Sequence, residues 1–396
     1  MIDHVEMMAA STATRRGTER HVVPDPPAPV RPLADRPRTI VTIDSAFDDP
    51  PSLIGLLLFS TEIRLEAIVH PDNPFVGKAL DKYEDAYPNL SAHDQRYPDP
   101  DYVRSLERDT RGVDGGVSPA AELIADILLG EENGPVYLQV WEGGGSVEAA
   151  LGLIEERHGE DDDWDSIRSS VSSKAIITTL VEPESVFGGA LLEAWPDLRI
   201  VEVTSDLWTY PHMLPLISPG LRGHEHPSYG GWGGRARPID EDLDTWTVEG
   251  VSDRADEEAG VGPEGETSVS RWFDDAQADF AERVRWSTTP EYAEGNHHPE
   301  IEVTTGLDVE VRAGGRVALI ASVSDPDGDD VSIHWWHYRE ASTYRGPIEV
   351  SEAGEVARVQ VPESARPGDT IHIVVEATDD AERPLKTYRR VILTVG

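Results

Sequence analysis

The spacing of apolar residues along the first half of the chain changes repeatedly between two patterns. Short apolar and β-branched runs, which predict strands, alternate with segments whose apolar residues recur every three or four positions, as in a helix that buries one face. The predicted strands are 38–44, 65–70, 136–141, 174–180 and 198–203, and helical spacing recurs at 75–87, 101–109, 118–130, 146–158 and 185–195. This alternation favours a largely parallel sheet with helices on both faces.

The pattern changes farther along the chain. Residues 204–265 lose the alternation and are rich in Gly, His, Pro and Trp, so we expect long loops there. Helical spacing returns over 268–286. After about residue 297 only short β runs remain, separated by turn residues, which is typical of an antiparallel, immunoglobulin-like β-sandwich. The chain is therefore predicted to be an α/β domain followed by a β-sandwich.

We place the regions as a disordered polar lead over 1–37, the α/β domain over 38–295 and the sandwich over 297–396. The lead contains Arg15 and Arg16, but the apolar stretch of a twin-arginine export signal does not follow them. No run approaches the roughly 20 apolar residues of a membrane span. We therefore expect a cytoplasmic protein with no membrane partner.

Charge narrows the range of partners. The chain has 75 Asp and Glu against 34 Lys and Arg, and its formal net charge is −41. A surface this acidic repels nucleic acid and anionic membranes. It also favours a salt-rich, halophilic environment in which self-repulsion is screened. Because the chain has no cysteine, disulfides and thiolate metal sites are excluded.

Three acids follow the first predicted strand in the stretch VTIDSAFDDPPSL, namely Asp44, Asp48 and Asp49. Open α/β sheets bind ligands beyond the carboxyl ends of their strands. Carboxylates that converge there repel one another unless they share a proton or a cation. Ca²⁺ suits them because it takes about six to eight oxygen ligands. The alternative is that all three are solvated loop acids in a chain that is acidic everywhere.

Two polar features lie near the domain junction. The turn DPDGDD at 325–330 can be interpreted as a calcium loop or as an acidic hairpin turn, and we favour the turn because a sandwich requires one there. Asn296, His297 and His298 precede the sandwich, and we expect them to form a hydrogen-bonded linker.

The stretch IDSAFDDPPSL resembles the first motif of the inosine–uridine-preferring nucleoside hydrolases, an Asp followed four and five residues later by an Asp pair. More of the chain is similar to a related family, the cellulose-binding, nucleoside-hydrolase-like proteins. The stretches that carry this likeness include VYLQVWEGGGSVEAAL, AWPDLRIVEV, HEHPSYGGWGGR and SDPDGDDVSIHWWHYREASTY. The resemblance runs from about residue 38 to the C-terminus. It implies a nucleoside-hydrolase-like, Rossmann-like α/β domain with a C-terminal immunoglobulin-like sandwich.

The resemblance also implies roles for single residues. Asp44 and Asp49 would hold Ca²⁺, and Asp48 would help to activate a water that cleaves an N-glycosidic bond. Three further residues are candidates for ligand binding. Trp141 and Trp232 could stack on sugar rings, and His226 lies in a family-like loop where packing within the loop is the alternative role.

The chain departs from the family pattern at three places, one of which is a usually acidic run that keeps only Glu182 and Glu184. Gly145 and Ser146 stand where the family usually has an Asn-Thr pair, and Thr209 stands where it usually has an Asp. Whether the protein is an enzyme therefore stays open. One hypothesis is a hydrolase of N-glycosyl bonds that uses a Ca²⁺-held water. The other is a non-catalytic carbohydrate-binding protein with a degenerate pocket. The expected partner is a small sugar, a nucleoside or a polysaccharide, and no oligomeric state is predicted.

Overall fold

A computed structural model of the chain describes residues 36–43, 49–112, 116–132, 134–141, 144–179, 186–202, 268–339 and 341–396. The elements of the α/β part are β1 (Arg38–Thr42), α1 (Asp49–Leu58), β2 (Arg64–His70), α2 (Pro74–His93), α3 (Pro100–Ser105), β3 (Glu107–Asp109), α4 (Pro119–Leu129), β4 (Val136–Val140), α5 (Gly145–His158), α6 (Trp164–Lys174), β5 (Ala175–Thr179), α7 (Gly189–Ala194), β6 (Arg199–Glu202) and α8 (Ser268–Trp286).

The strands of the α/β part form one parallel sheet in the order β3-β2-β1-β4-β5-β6. Every residue of β1 is buried, as expected for a strand covered on both faces. Successive side chains point to opposite faces, so Val41 packs in one core and Ile40 in the other. The first core includes residues of α1, α2 and α8, and the second includes residues of α4, α5, α6 and α7. The predicted α/β class is confirmed.

One segment differs from the prediction. Helical spacing over 101–109 predicts a single helix, but α3 ends at Ser105 and Glu107–Asp109 form the edge strand β3. The three residues of β3 are charged and half-buried, so they carry no apolar alternation that would reveal a strand. These residues adopt the extended strand conformation because they pair with Ile68, Val69 and His70 of β2.

The C-terminal part is a β-sandwich. Its strands are β7 (Glu300–Val303), β8 (Asp308–Val311), β9 (Arg316–Ser324), β10 (Val331–Tyr338), β11 (Glu349–Ala353), β12 (Val356–Gln360), β13 (Thr370–Asp379) and β14 (Lys386–Val395). They form two four-stranded sheets, β10-β13-β14-β8 and β11-β12-β9-β7. Buried side chains such as Leu319, Trp335 and Leu393 fill the core. The pairing is antiparallel except for β8 with β14, because the chain leaves β8 for the other sheet instead of making a hairpin.

Helix α8 carries side chains that bond to the sandwich and to the linker before it. Asp275 accepts from Lys386 Nζ at 3.3 Å and from the Tyr388 hydroxyl. Asp279 lies 2.7 Å from His298 Nε2. The Asn296 backbone N–H donates to Glu282 at 2.9 Å, and its side-chain amide donates to Asp379 at 3.1 Å. A row of polar contacts therefore joins the two parts.

Membrane insertion was not expected from the sequence. Among the residues that the structure describes, no helix is both long enough and apolar enough to cross a bilayer.

Candidate functional site at the switch point of the sheet

The strand order of the parallel sheet reverses at β1. Strands β2 and β3 lie on one side of it, and β4, β5 and β6 lie on the other. Chain segments that leave neighbouring strands in opposite directions open a crevice at such a switch point, and ligands of open α/β sheets bind there. The crevice of this sheet therefore lies where the chain leaves β1 at Thr42 and β4 at Val140.

Backbone hydrogen bonds extend the sheet by one residue at this point. The Ile43 N–H donates to the Val69 carbonyl at 2.8 Å, and the Trp141 N–H donates to the Thr42 carbonyl at 3.3 Å. The Thr42 side chain is buried, and its hydroxyl has no hydrogen-bond partner within the described part of the chain. A buried polar atom without a partner is costly, so the end of β1 offers a hydroxyl that a ligand or a water can satisfy.

The predicted acids follow β1 directly in the chain. Asp44 and Asp48 lie outside the described residues. Asp49 is the first residue of α1, and Pro50 and Pro51 fall in the first turn of that helix, where a missing N–H costs little. The switch-point topology supports the reasoning that placed these acids at a ligand crevice. Their roles as Ca²⁺ ligands and as the water-activating group stay predictions.

Trp141 is the first residue after β4. Its side chain is only 5% exposed and belongs to the core on the α1, α2 and α8 face of the sheet. The indole Nε1 donates to Gln139 Oε1 at 3.3 Å. The ring is therefore packed against protein and does not stand open as a broad stacking surface. Its predicted contact with ligand stays a prediction, limited to the small exposed part of the side chain.

Helix α5 begins next to this crevice. Gly144 is its N-cap residue and makes no side-chain capping bond. A Cβ atom at Gly144 would lie 2.4 Å from Phe187 Cε1, so close packing requires glycine there. A Cβ atom at Gly145 would meet nothing within 4 Å among the described atoms. Packing thus explains why residue 144 is a glycine. It does not explain why residue 145 is a glycine and not the asparagine of the family pattern.

The remaining predicted residues cannot be placed. His226, Trp232 and Thr209 lie outside the described residues, so their predicted roles are untested.

The described residues contain a separate acidic group in the turn between β9 and β10. Oxygens of Asp325, Asp327 and Asp329 all lie within 4.8 Å of one another. Asp325 Oδ1 accepts from the N–H groups of Asp327 and Asp329 at 2.9 and 3.1 Å, and Gly328 has φ 78°. Burial, with repulsion from the two neighbouring acids, raises the Asp325 pKa to about 6. Because Asp325 bonds the backbone of its own turn, the geometry favours the predicted turn interpretation.

Comparisons with known proteins identify two matching domains. Residues 38–211 match the model described as cellulose-binding Sde182, nucleoside hydrolase-like domain, and residues 316–395 match cellulose-binding protein Sde0182, C-terminal domain. The chain belongs to the Sde182-like family. The two matches together cover more than half of this Sde182-like chain and follow the order of its α/β and sandwich parts. The resemblance read from the motifs is confirmed.

One solved structure agrees with this assignment. A nucleoside hydrolase-related hypothetical protein from Saccharophagus degradans, described as associated with carbohydrate metabolism, is 25% identical. The match covers 91% of this chain and 100% of that chain, with a TM-score of 0.73. The titin M3 domain is 23% identical over 24% of this chain and 95% of that chain, but its TM-score of 0.18 supports no argument. A search of curated proteins found no match.

Proposed function

We propose that this Sde182-like protein binds a cellulose-type glycan in the crevice at the switch point between β1 and β4. The single observation that carries the proposal is the reversal of strand order at β1, because ligands of open α/β sheets bind at such a switch point and the stretch with Asp44, Asp48 and Asp49 follows β1 in the chain. Carboxylates and a buried hydroxyl such as that of Thr42 are groups that bond sugar hydroxyls. The cellulose-binding description of both matched family models supports a polysaccharide as the ligand.

Two features favour binding over catalysis. Gly145 provides no side chain at the position where the family pattern has an asparagine amide, although a Cβ atom there would meet nothing within 4 Å in the described part of the chain. Thr209 replaces the late Asp of the family pattern in the sequence. A crevice that keeps its position and its first acids but has lost polar groups can still hold a sugar. It would hold a hydrolytic transition state less well, because catalysis needs groups that bind that state more tightly than the substrate.

The second candidate is a hydrolase of N-glycosyl bonds. It is favoured by the complete set of three acids directly after β1. In this proposal Asp44 and Asp49 hold Ca²⁺, which when bound would lower the pKa of a coordinated water. Asp48 would take the proton from that water as general base. The donor set has the hard oxygen chemistry that Ca²⁺ prefers.

The test compares wild type with Asp49→Ala at high salt. We expect microcrystalline cellulose or insoluble xylan to deplete the wild-type chain from solution. Asp49→Ala should bind about tenfold more weakly, the size of one lost charge-assisted hydrogen bond. Asp101→Ala is the matched control, because Asp101 is an exposed acid in the first turn of another Pro-started helix, α3.

A parallel assay follows hydrolysis of a nitrophenyl riboside and the heat of Ca²⁺ binding. Turnover and Ca²⁺ heat that both disappear in Asp49→Ala would favour the hydrolase instead. If neither polysaccharide binds the wild type, the binding proposal is wrong. Circular dichroism of each variant separates loss of binding from loss of fold.

A further inference from the structure

Two buried histidines from distant parts of the chain meet where the α/β part joins the sandwich. His93 ends α2 and is 6% exposed, and His297 lies in the linker before β7 and is 5% exposed. Their ring nitrogens, His93 Nδ1 and His297 Nε2, are 3.1 Å apart. The outer nitrogens also have partners: His93 Nε2 lies 2.6 Å from the Thr289 carbonyl, and His297 Nδ1 lies 3.0 and 3.1 Å from the two Asp327 oxygens. We call these four hydrogen-bonded groups, Thr289, His93, His297 and Asp327, the junction relay.

The partners at the two ends of the junction relay fix where its protons sit. A carbonyl oxygen only accepts, so His93 Nε2 carries a proton and donates to Thr289. An ionised carboxylate also only accepts, so His297 Nδ1 carries a proton and donates to Asp327. The two inner nitrogens can bond only if one proton lies between them. The pair of rings then holds three protons on four nitrogens, which gives it one positive charge opposite Asp327.

The surroundings of the two rings place that charge on His297. The Tyr292 ring stacks on His297 with a centroid separation of 3.7 Å and an interplanar angle of 5°, much closer than its 6.1 Å separation from His93. Trp286 stacks on both rings, at 5.1 Å from His297 and 5.5 Å from His93. Aromatic faces attract a cation. Burial lowers the pKa of His93 to about 4, so His93 is the neutral member. The inner proton therefore belongs to His297 and is donated to His93 Nδ1.

We propose that the junction relay is a pH-sensitive joint between the α/β part and the sandwich, closed only while the two rings share three protons. If the inner proton leaves to bulk water, two lone pairs face each other at the 3.1 Å separation. If a fourth proton arrives, two N–H groups face each other. Either change replaces a buried hydrogen bond with a repulsive contact, and a buried polar group left without a partner is destabilising.

Charged groups from several elements act on the rings at the junction. Asp327 in the turn before β10 and Arg285 on α8 act on His93. Asp94 after α2, Glu300 on β7 and Asp325 act on Tyr292, the ring that stacks on His297. Acids outnumber the one base, so their combined field favours the positive charge on the pair. Other links remain when the joint opens, including His298 with Asp279 and Asn296 with Glu282. Opening should therefore loosen the linker without separating the two parts.

The first experiment counts the protons by NMR on the full chain, labelled with ¹⁵N only in histidine. In the closed joint we expect His93 to show one protonated and one bare ring nitrogen, and His297 to show two protonated nitrogens. His93→Gln and His297→Gln identify the signals. Two neutral rings, each with a bare nitrogen, would overturn the proposal.

The second experiment measures opening by hydrogen exchange of the His297 backbone amide, which donates to Asp327 at 2.7 Å. Its rate is divided at each pH by that of the Val375 amide in the sandwich core, which removes the general effect of pH. We expect this ratio to rise about tenfold as the NMR signal of the inner proton disappears. A ratio that stays constant while the NMR signal of that proton disappears would refute the joint.

Three variants separate the joint from a general loss of structure. Asp327→Asn removes the charge opposite His297, so opening should begin at lower pH than in wild type. Asp330→Asn removes the same charge from an exposed residue of the same turn and should behave like wild type. The Gln of His93→Gln can accept from His297 and donate to Thr289, so opening near pH 4 should disappear. Identical pH profiles in all three variants would contradict the proposal.

Discussion

Arg283 on α8 provides the sharpest test of how the α/β part is held together. Its side chain is 1% exposed, and four hydrogen bonds occupy its guanidinium: one each to Asp279, Thr61, Glu62 and the Leu58 carbonyl, all between 2.8 and 3.1 Å. Burial disfavours the charged form, but the neighbouring carboxylates outweigh burial and raise its pKa well above the ordinary value. The guanidinium stays charged at every pH at which the protein is folded.

Replacing Arg283 with Met keeps much of the volume but removes the charge. Asp279 is 2% exposed and Glu62 is 8% exposed, so both carboxylates lose a cation while still buried. His298 and Arg96 remain as weaker partners, at 2.7 and 3.5 Å. Removing one member of a buried ion pair costs about 3–5 kcal/mol, and we expect Arg283→Met to lose about 3 kcal/mol because of those partners.

The assay is equilibrium unfolding in urea at neutral pH, with Arg104→Met as the matched control. Arg104 also bonds two carboxylates, Asp81 and Glu84, both at 2.7 Å. Both carboxylates are largely solvated, and the Arg104 side chain is 31% exposed, against 1% for Arg283. Such surface pairs contribute about 0–1 kcal/mol, so Arg104→Met should cost less than about 1 kcal/mol. Equal losses in the two variants would refute the reasoning that burial sets the difference.

Three further predictions follow from the described geometry. Burial lowers the pKa values of His93 and His372 to about 4, so between about pH 6.5 and pH 4 the unfolded chain binds more protons than the folded chain. The free energy of unfolding should therefore fall as the pH falls through that window. Urea unfolding at pH 7 and at pH 4.5 measures this fall, and His372→Gln should reduce it by about 2 kcal/mol. Gly144→Ala should lower the free energy of unfolding by about 1–3 kcal/mol, because the added Cβ would clash with Phe187. Gly152→Ala, in the open middle of α5, should raise it by about 0.5–1 kcal/mol. Thermal unfolding of the two variants compares them. Gly145→Asn should change stability by less than about 0.5 kcal/mol because the site has room, and a clear loss of melting temperature would contradict that expectation.

The sequence reveals the elements that carry strong apolar patterns. The buried run at β1 and the proline pair at the start of α1 both leave local signals, so the strand and the start of the helix can be predicted. The edge strand Glu107–Asp109 cannot, because its pairing with β2 and not its residue pattern makes it a strand.

Long-range contacts of single side chains leave no comparable signal. His93 and His297 are separated by 204 positions, and nothing near either residue indicates that their rings meet. The sequence around Trp141 fits a core residue as well as a side chain that stacks on a sugar ring. Its burial depends on the packing of α1, α2 and α8 over the sheet. Fold class thus follows from periodicity, whereas burial and side-chain partners depend on tertiary contacts that periodicity does not contain.

We propose that a glycan binds at the switch point of the parallel sheet. The most direct measurement is an amide NMR titration of the full chain with a soluble cello-oligosaccharide at high salt. We predict that the amides of Ile43, Trp141 and Gly144, which border the crevice, shift in a saturable way while those of β13 in the sandwich do not. Shifts confined to the sandwich, or no shifts at any ligand concentration, would contradict the account.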